Sequence, residues 1–143
     1  MFNARAETLR EKASFKRPFK SQRCLVPVSG YYEWRDKQPY YVHAKDDQLR
    51  ALAGLWDCWE KRGQSITSFA VVTTEPTGAM RELHHRMPAV LSPKDCDAWL
   101  SPESEPGDLE PLLHETKLRY YPVDRRVGRV RENGPGLTEP VTL

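Results

Sequence analysis

Apolar positions in this chain come in short runs cut by charged and turn-forming residues, a pattern that predicts strands more often than helices. Residues 24–28 read as a buried strand, and Gly30 permits a tight turn into the aromatic stretch 31–34, a second strand. Asp36, Lys37 and Gln38 suit a hairpin turn before a third strand at 39–44. Residues 52–59 read as a fourth strand, with Gly63 in the following turn. The clearest strand is 69–74, and 118–121 is a late one. Strand alternation sets Tyr32 and Trp34 on one face of the second strand and Tyr31 and Glu33 on the other.

Helical signals are fewer. Residues 3–20 are polar and basic; Phe15 and Phe19 lie four apart, which allows one helical turn, and Pro18 argues against a long helix. Residues 77–83 allow two turns. Ser92 as N-cap, Pro93 at the first position and Asp95 in the first turn predict a helix that buries Cys96, Trp99 and Leu100. Residues 101–108 read as a surface loop, and 109–113 add one turn. With no internal repeat and no linker, the prediction is one domain over residues 1–143, of the α+β class, mainly antiparallel β with a few short helices.

Composition narrows the function classes. A chain of 143 residues with 38% hydrophobic and 29% charged positions has the balance of one soluble globular domain. Twelve prolines keep its elements short. A net charge of +2 means that nucleic acid, if bound, meets a local basic patch. The three cysteines, Cys24, Cys58 and Cys96, are widely spaced and form no CxxC, so neither a disulfide framework nor a zinc site is indicated. No apolar run approaches membrane length and no signal-peptide pattern opens the sequence, so a cytoplasmic protein without membrane partners is expected.

Three clusters carry candidate chemistry: Asn3 to Thr8, Gly30 to Trp34, and His84 to Pro88. Alone, each has an ordinary reading: a solvated terminus, an amphipathic strand with an outward Glu33, and surface histidines. The His84–His85 pair raises metal binding, but neighbours on a strand point to opposite faces and no further ligands recur at a matching spacing. Neither metal nor cofactor is expected.

Taken together and in order, the clusters resemble the SOS-response-associated peptidase (SRAP) family. Its pattern is Asn-Ala-Arg-x-Glu-Thr, a Cys-Leu-Val-Pro strand running into Gly-Phe/Tyr-Tyr-Glu-Trp, a strand ending Thr-Thr, then His-x-Arg-Met-Pro and Val-Leu-Ser-Pro, and this sequence holds each of these. The resemblance spans essentially the whole chain. It implies a sensor of abasic sites in single-stranded DNA, in which an N-terminal cysteine condenses with the sugar aldehyde to a thiazolidine crosslink. It further implies Asn3, Glu33 and His84 as the catalytic set: Asn3 orienting nucleophile and sugar, Glu33 moving protons, His84 beside the sugar. Arg5, Arg86, Thr73 and Trp34 are implied as the DNA-binding set, with Trp34 packing against DNA and Thr73 near the site. It also implies replication-fork and, during DNA damage, nucleoid association. The family's nucleophile has no counterpart here, because Phe2 follows Met1 and the first cysteine is Cys24, which matches the family's structural strand. The expectation is a domain lacking the N-terminal nucleophile segment and the crosslinking step. Two other readings stand beside it: a cysteine-type peptidase acting on proteins, and a non-catalytic single-stranded-DNA-binding remnant. A domain without its front segment is further expected to leave an open sheet edge or an exposed apolar patch near Met1.

Overall fold

Two sheets face each other in the computed structural model, which describes residues 2–114, 117–128 and 134–143. The strands are β1 (Phe2–Arg5), β2 (Arg23–Val28), β3 (Tyr31–Arg35), β4 (Gln38–Ala44), β5 (Arg50–Lys61), β6 (Gln64–Thr74), β7 (Met87–Pro88), β8 (Val90–Leu91) and β9 (Leu118–Pro122). The larger sheet runs β1-β6-β5-β2, with β7 on β6 and β8 on β5; the smaller runs β3-β4-β9. Among the described residues only β1–β6 pairs in parallel, so the α+β, mainly antiparallel expectation holds.

Strand alternation explains the layering. On one face of the larger sheet, Ala4, Ala53, Leu55, Ala70, Val72 and Leu91 pack with Phe19, Trp99, Leu109 and Leu113. On the other, Leu52, Val71 and Val90 meet Tyr40, Val42 and Leu118 of the smaller sheet, with Met80 and Leu83 closing the edge. Successive side chains point to opposite faces, and both faces are covered, which is why the central strands read as unbroken apolar runs.

The helices depart from the sequence reading. Helix α1 (Ala13–Ser21) is nine residues long and keeps Pro18 inside it. Proline removes one backbone hydrogen bond; here Pro18 and Phe19 are both buried, and Phe19 lies 6.0 Å from Trp99, ring to ring. Arg23 secures the end of α1 by donating to the carbonyls of Phe19 (2.6 Å) and Lys20 (2.8 Å), and it reaches the carbonyl of Trp99 (2.6 Å) in α2 (Cys96–Leu100). Helix α2 buries Trp99 completely but leaves Leu100 46% exposed, because the helix stops at that residue. A 3-10 turn, Pro93–Asp95, precedes α2, and the Ser92 hydroxyl bonds the Asp95 carboxylate instead of capping the backbone. Part of the stretch read as a loop is helix α3 (Pro106–Leu109), closed by a reciprocal capping box between Glu105 and Asp108.

Gly63 sits in the turn after β5 as read, whereas Gly30 serves by close approach. Gly30 does not adopt a left-handed backbone; a side chain there would collide with the Tyr41 ring and the Val42 carbonyl, so close approach demands glycine. Strands β5 and β6 run well beyond the apolar core, joined by Arg62 and Gly63, both at positive φ (53° and 76°), the conformation that suits a two-residue hairpin. Their distal halves carry two exposed cross-strand apolar pairs, Trp56 with Phe69 and Trp59 with Ile66. Strand β1 takes an edge position, paired with β6 alone among the described residues. Met1 lies outside those residues.

Candidate functional site

Strand β3 projects Tyr31 and Glu33 from one face, as alternation requires. His84 meets them from the 3-10 turn Gly78–Glu82, where its backbone N–H donates to the Met80 carbonyl at 3.0 Å. Glu33 Oε2 stands 3.1 Å from His84 Nδ1, and the Tyr31 hydroxyl 3.2 Å from His84 Nε2. The approach to Nδ1 is an ion-pair distance without hydrogen-bond alignment. His84's side chain is fully shielded from solvent, while Glu33's is 36% exposed. Burial pulls the His84 imidazole down to about 4 and pushes the Glu33 carboxyl above its ordinary value. Burial, reinforced by the Glu33 charge, also raises the Tyr31 phenol. The result is a neutral imidazole held between a carboxyl and a phenol, hydrogen-bonded to the phenol and in charge contact with the carboxyl. With Nδ1 protonated toward Glu33, Nε2 accepts from Tyr31. His84 is thus no surface histidine, whereas its neighbour His85 is exposed.

A second cluster joins β1, β6 and the segment after His84. Arg86 Nη2 donates to the Thr73 carbonyl (2.9 Å) and hydroxyl (3.2 Å). Arg86 Nη1 lies 2.9 Å from Glu7 Oε2, and Arg5 Nε lies 3.6 Å from the same oxygen. Arg5 is aligned with Thr73 across the parallel β1–β6 pair, so the three-residue turn that follows β1 delivers Glu7 between the two guanidinium groups. His84 and Arg86, two positions apart, connect this cluster to the first.

Asn3 lies two positions before Arg5 on β1, so that both side chains leave the same face. It lines a cavity of about 320 Å³ together with Phe15, Trp56 and Phe69; neither Glu33 nor His84 lines that cavity. Trp34 leaves β3 on the face away from Glu33, its ring 6.4 Å from that of Tyr32 and 45% exposed. The sequence-predicted residues therefore fall into a Glu33–His84 pair, an Arg5–Thr73–Arg86 cluster, and two outliers, Asn3 and Trp34. Tyr31 and Glu7 were given no role from sequence. Their signal was position: each sits two residues from a candidate on the same strand or the turn after it. Among the described residues no group of three or more His, Cys, Asp or Glu side chains could hold a metal ion.

Comparison with known proteins adds the lineage. The pattern of the family described as SOS response associated peptidase (SRAP) matches residues 1–130. The abasic site processing protein YoqW of Bacillus subtilis is 36% identical over 149 residues, covering 97% of this chain and 66% of the relative. The abasic site processing protein HMCES of Xenopus tropicalis is 34% identical over 168 residues, covering 99% of this chain and 50% of the relative. A solved structure of a Bacteroides thetaiotaomicron protein superposes with a TM-score of 0.89 at 32% identity, covering 98% of this chain and 66% of that one. The chain thus spans between half and two thirds of the length of these relatives. This chain belongs to the SOS response associated peptidase (SRAP) family.

Proposed function

We propose that this chain is a single domain that binds single-stranded DNA at abasic sites. The observation that carries the reading is the Glu33–His84–Tyr31 constellation: a shielded neutral imidazole 3.1 Å from a carboxyl whose proton affinity burial has raised. An aldehyde sugar seated there would meet a neutral imidazole able to accept a proton, with a carboxyl beside it. The adjoining arginines supply charge for the backbone phosphates, and relatives at 34–36% identity bear the name abasic site processing protein.

The covalent step asks for an amine and a thiol on one residue. The first cysteine here is Cys24, in β2, whose thiol burial pushes up and whose carbonyl accepts from Trp99 Nε1 at 2.9 Å. That is a packing cysteine, with neither a free α-amine nor an activated thiolate. We therefore do not assign Cys24 as a crosslinking nucleophile. A peptidase acting on other proteins finds less support: the Cys96 thiol is likewise raised by burial, and Cys58 stands opposite Thr67 in the exposed hairpin.

The test is a gel shift with abasic and intact single strands, followed by denaturing electrophoresis. The expected result is preferential retention of the abasic strand in the native gel, with the denaturing gel unchanged by Cys24→Ser. Equal binding of intact single strand and duplex would overturn the reading.

A further inference from the structure

Resting on the reading of Arg5 and Arg86 as phosphate ligands, we infer that Glu7 occupies the phosphate position between them and must be displaced when DNA binds. The carboxylate sits as a bound anion would. Its Oε2 is 2.9 Å from Arg86 Nη1 and 3.6 Å from Arg5 Nε, and its Oε1 accepts from Arg86 Nη2 at 3.4 Å. The carboxylate lies along the two-nitrogen edge of Arg86 by which a guanidinium takes a phosphate, with one hydrogen bond, from Nη2, and one charge contact, at Nη1.

The state of Arg86 explains why the two anions exclude each other. Nη2 is engaged by the Thr73 carbonyl, the Thr73 hydroxyl and Glu7. Nη1 and Nε have no exposed surface, and neither has an aligned hydrogen-bond partner. With Nη2 occupied and Nη1 and Nε shielded, Arg86 presents no accessible, unoccupied donor to an incoming phosphate while Glu7 stays in place. Thr73 holds the guanidinium from behind, so the arginine remains in position when the carboxylate leaves.

Displacement is energetically modest. The Arg5 and Glu7 side chains are 64% and 41% exposed, so their pair contributes little, and Arg86, 27% exposed, keeps its Thr73 contacts when the carboxylate leaves. Glu7 can rotate into solvent without dragging the backbone, because it lies on a single 3-10 turn, Ala6–Thr8, at the end of β1. The role differs from support of the fold: a supporting carboxylate would strengthen DNA binding, whereas a placeholder weakens it. It also flattens the salt dependence, because binding then exchanges one ion pair for another instead of releasing a full set of counterions.

The experiment compares wild type, Glu7→Gln, Arg5→Ala and Arg86→Ala for binding to an abasic single strand across a salt series, with a thermal melt of each variant. Glu7→Gln should bind about two- to fivefold more tightly at low salt, the range an exposed ion pair allows. Its log–log salt slope should steepen by up to roughly 0.7, one phosphate contact on a single strand. Unchanged or weaker binding by Glu7→Gln, with a wild-type melt and with the arginine variants impaired, overturns the placeholder role and leaves the phosphate reading intact. Arginine variants that bind as wild type overturn the phosphate reading itself. If Glu7→Gln lowers the melt, Glu7→Asp, too short to reach both arginines, replaces it with the same expected direction.

Discussion

His84 Nδ1 and Glu33 Oε2 stand 3.1 Å apart, with the imidazole fully shielded and the carboxylate open to solvent on one side. Desolvation disfavours the charged form of each, and it acts in opposite directions on the two. His84 is held down to about 4, and Glu33 is raised. Near neutral pH the histidine therefore carries no charge, and the pair is not a salt bridge.

That shift makes stability depend on pH with a definite sign. Between about 4 and the ordinary histidine value of 6.5, the unfolded chain binds a proton that the folded His84 refuses. His84's contribution is thus complete above 6.5 and is lost as pH falls through 4. The size is on the order of 3 kcal/mol. The raised Glu33 has the opposite sign, stabilising most at low pH, and softens the lower end of the curve. Urea midpoints measured from pH 4 to 7 should rise with pH in wild type and rise distinctly less in His84→Gln. Parallel curves for the two proteins would remove His84 as the source.

Much of the fold was legible because alternation and turn chemistry are local. The faces of β3 followed from residue parity, and Asp36 and Lys37, at φ 51° and 67°, form the hairpin turn read there. The reading failed where tertiary contacts override local preference. Pro18 stays within α1 because the Phe19–Trp99 contact and the Arg23 caps compensate for one lost hydrogen bond. The outer part of β6, residues 64–68, was missed because its strand character lies in pairing to β5, not in burial. Within the site, the ordered motifs pointed to Glu33 and His84. They could not reveal that Glu7 sits between two arginines, since spacing says nothing of where a carboxylate turns.

Cys24 offers a check on the covalent chemistry. Its thiol is half-buried and raised by desolvation. Cys24→Ser should therefore leave the denaturing gel with abasic DNA unchanged. An adduct that disappears in Cys24→Ser would make Cys24 a nucleophile and reverse its assignment as a packing residue.

Arg23 is the strongest polar fastener in the fold. It is buried and serves carbonyls in α1 and α2. Arg23→Met keeps much of the aliphatic volume and orphans those carbonyls, at a cost of roughly 2–4 kcal/mol. Arg23→Lys should recover only part, because one ammonium cannot span acceptors on two helices. Denaturant melts of the three proteins give the ranking directly; a methionine variant as stable as wild type would mean that water satisfies the carbonyls equally well.

Trp34 separates stacking from catalysis. It lies on the opposite face of β3 from Glu33 and is 45% exposed. If a DNA base stacks on its ring, Trp34→Ala should weaken single-strand binding by about 1–3 kcal/mol, with the salt slope unchanged. A changed slope with little loss of affinity would point instead to a disturbance of the neighbouring charges.

The outer β5–β6 hairpin is the surface most exposed to unwanted association. Trp59 and Ile66, directly paired across the two strands, are 63% and 56% exposed, and strand β1 lies at the edge of the same sheet. Exposed apolar pairs beside a strand edge favour sheet-to-sheet pairing between molecules. Neither side chain belongs to the core, so Trp59→Lys with Ile66→Thr should leave the thermal midpoint within a few degrees, since surface changes are usually worth no more than about 0.5 kcal/mol. Light scattering at rising protein concentration should fall in the double variant. The lysine works by charge repulsion, so added salt should restore part of the scattering, which a purely steric effect would not do. Scattering that persists in the double variant would move the association surface elsewhere, and the Asn3–Phe15–Trp56–Phe69 cavity is then the next place to test with Phe69→Ser.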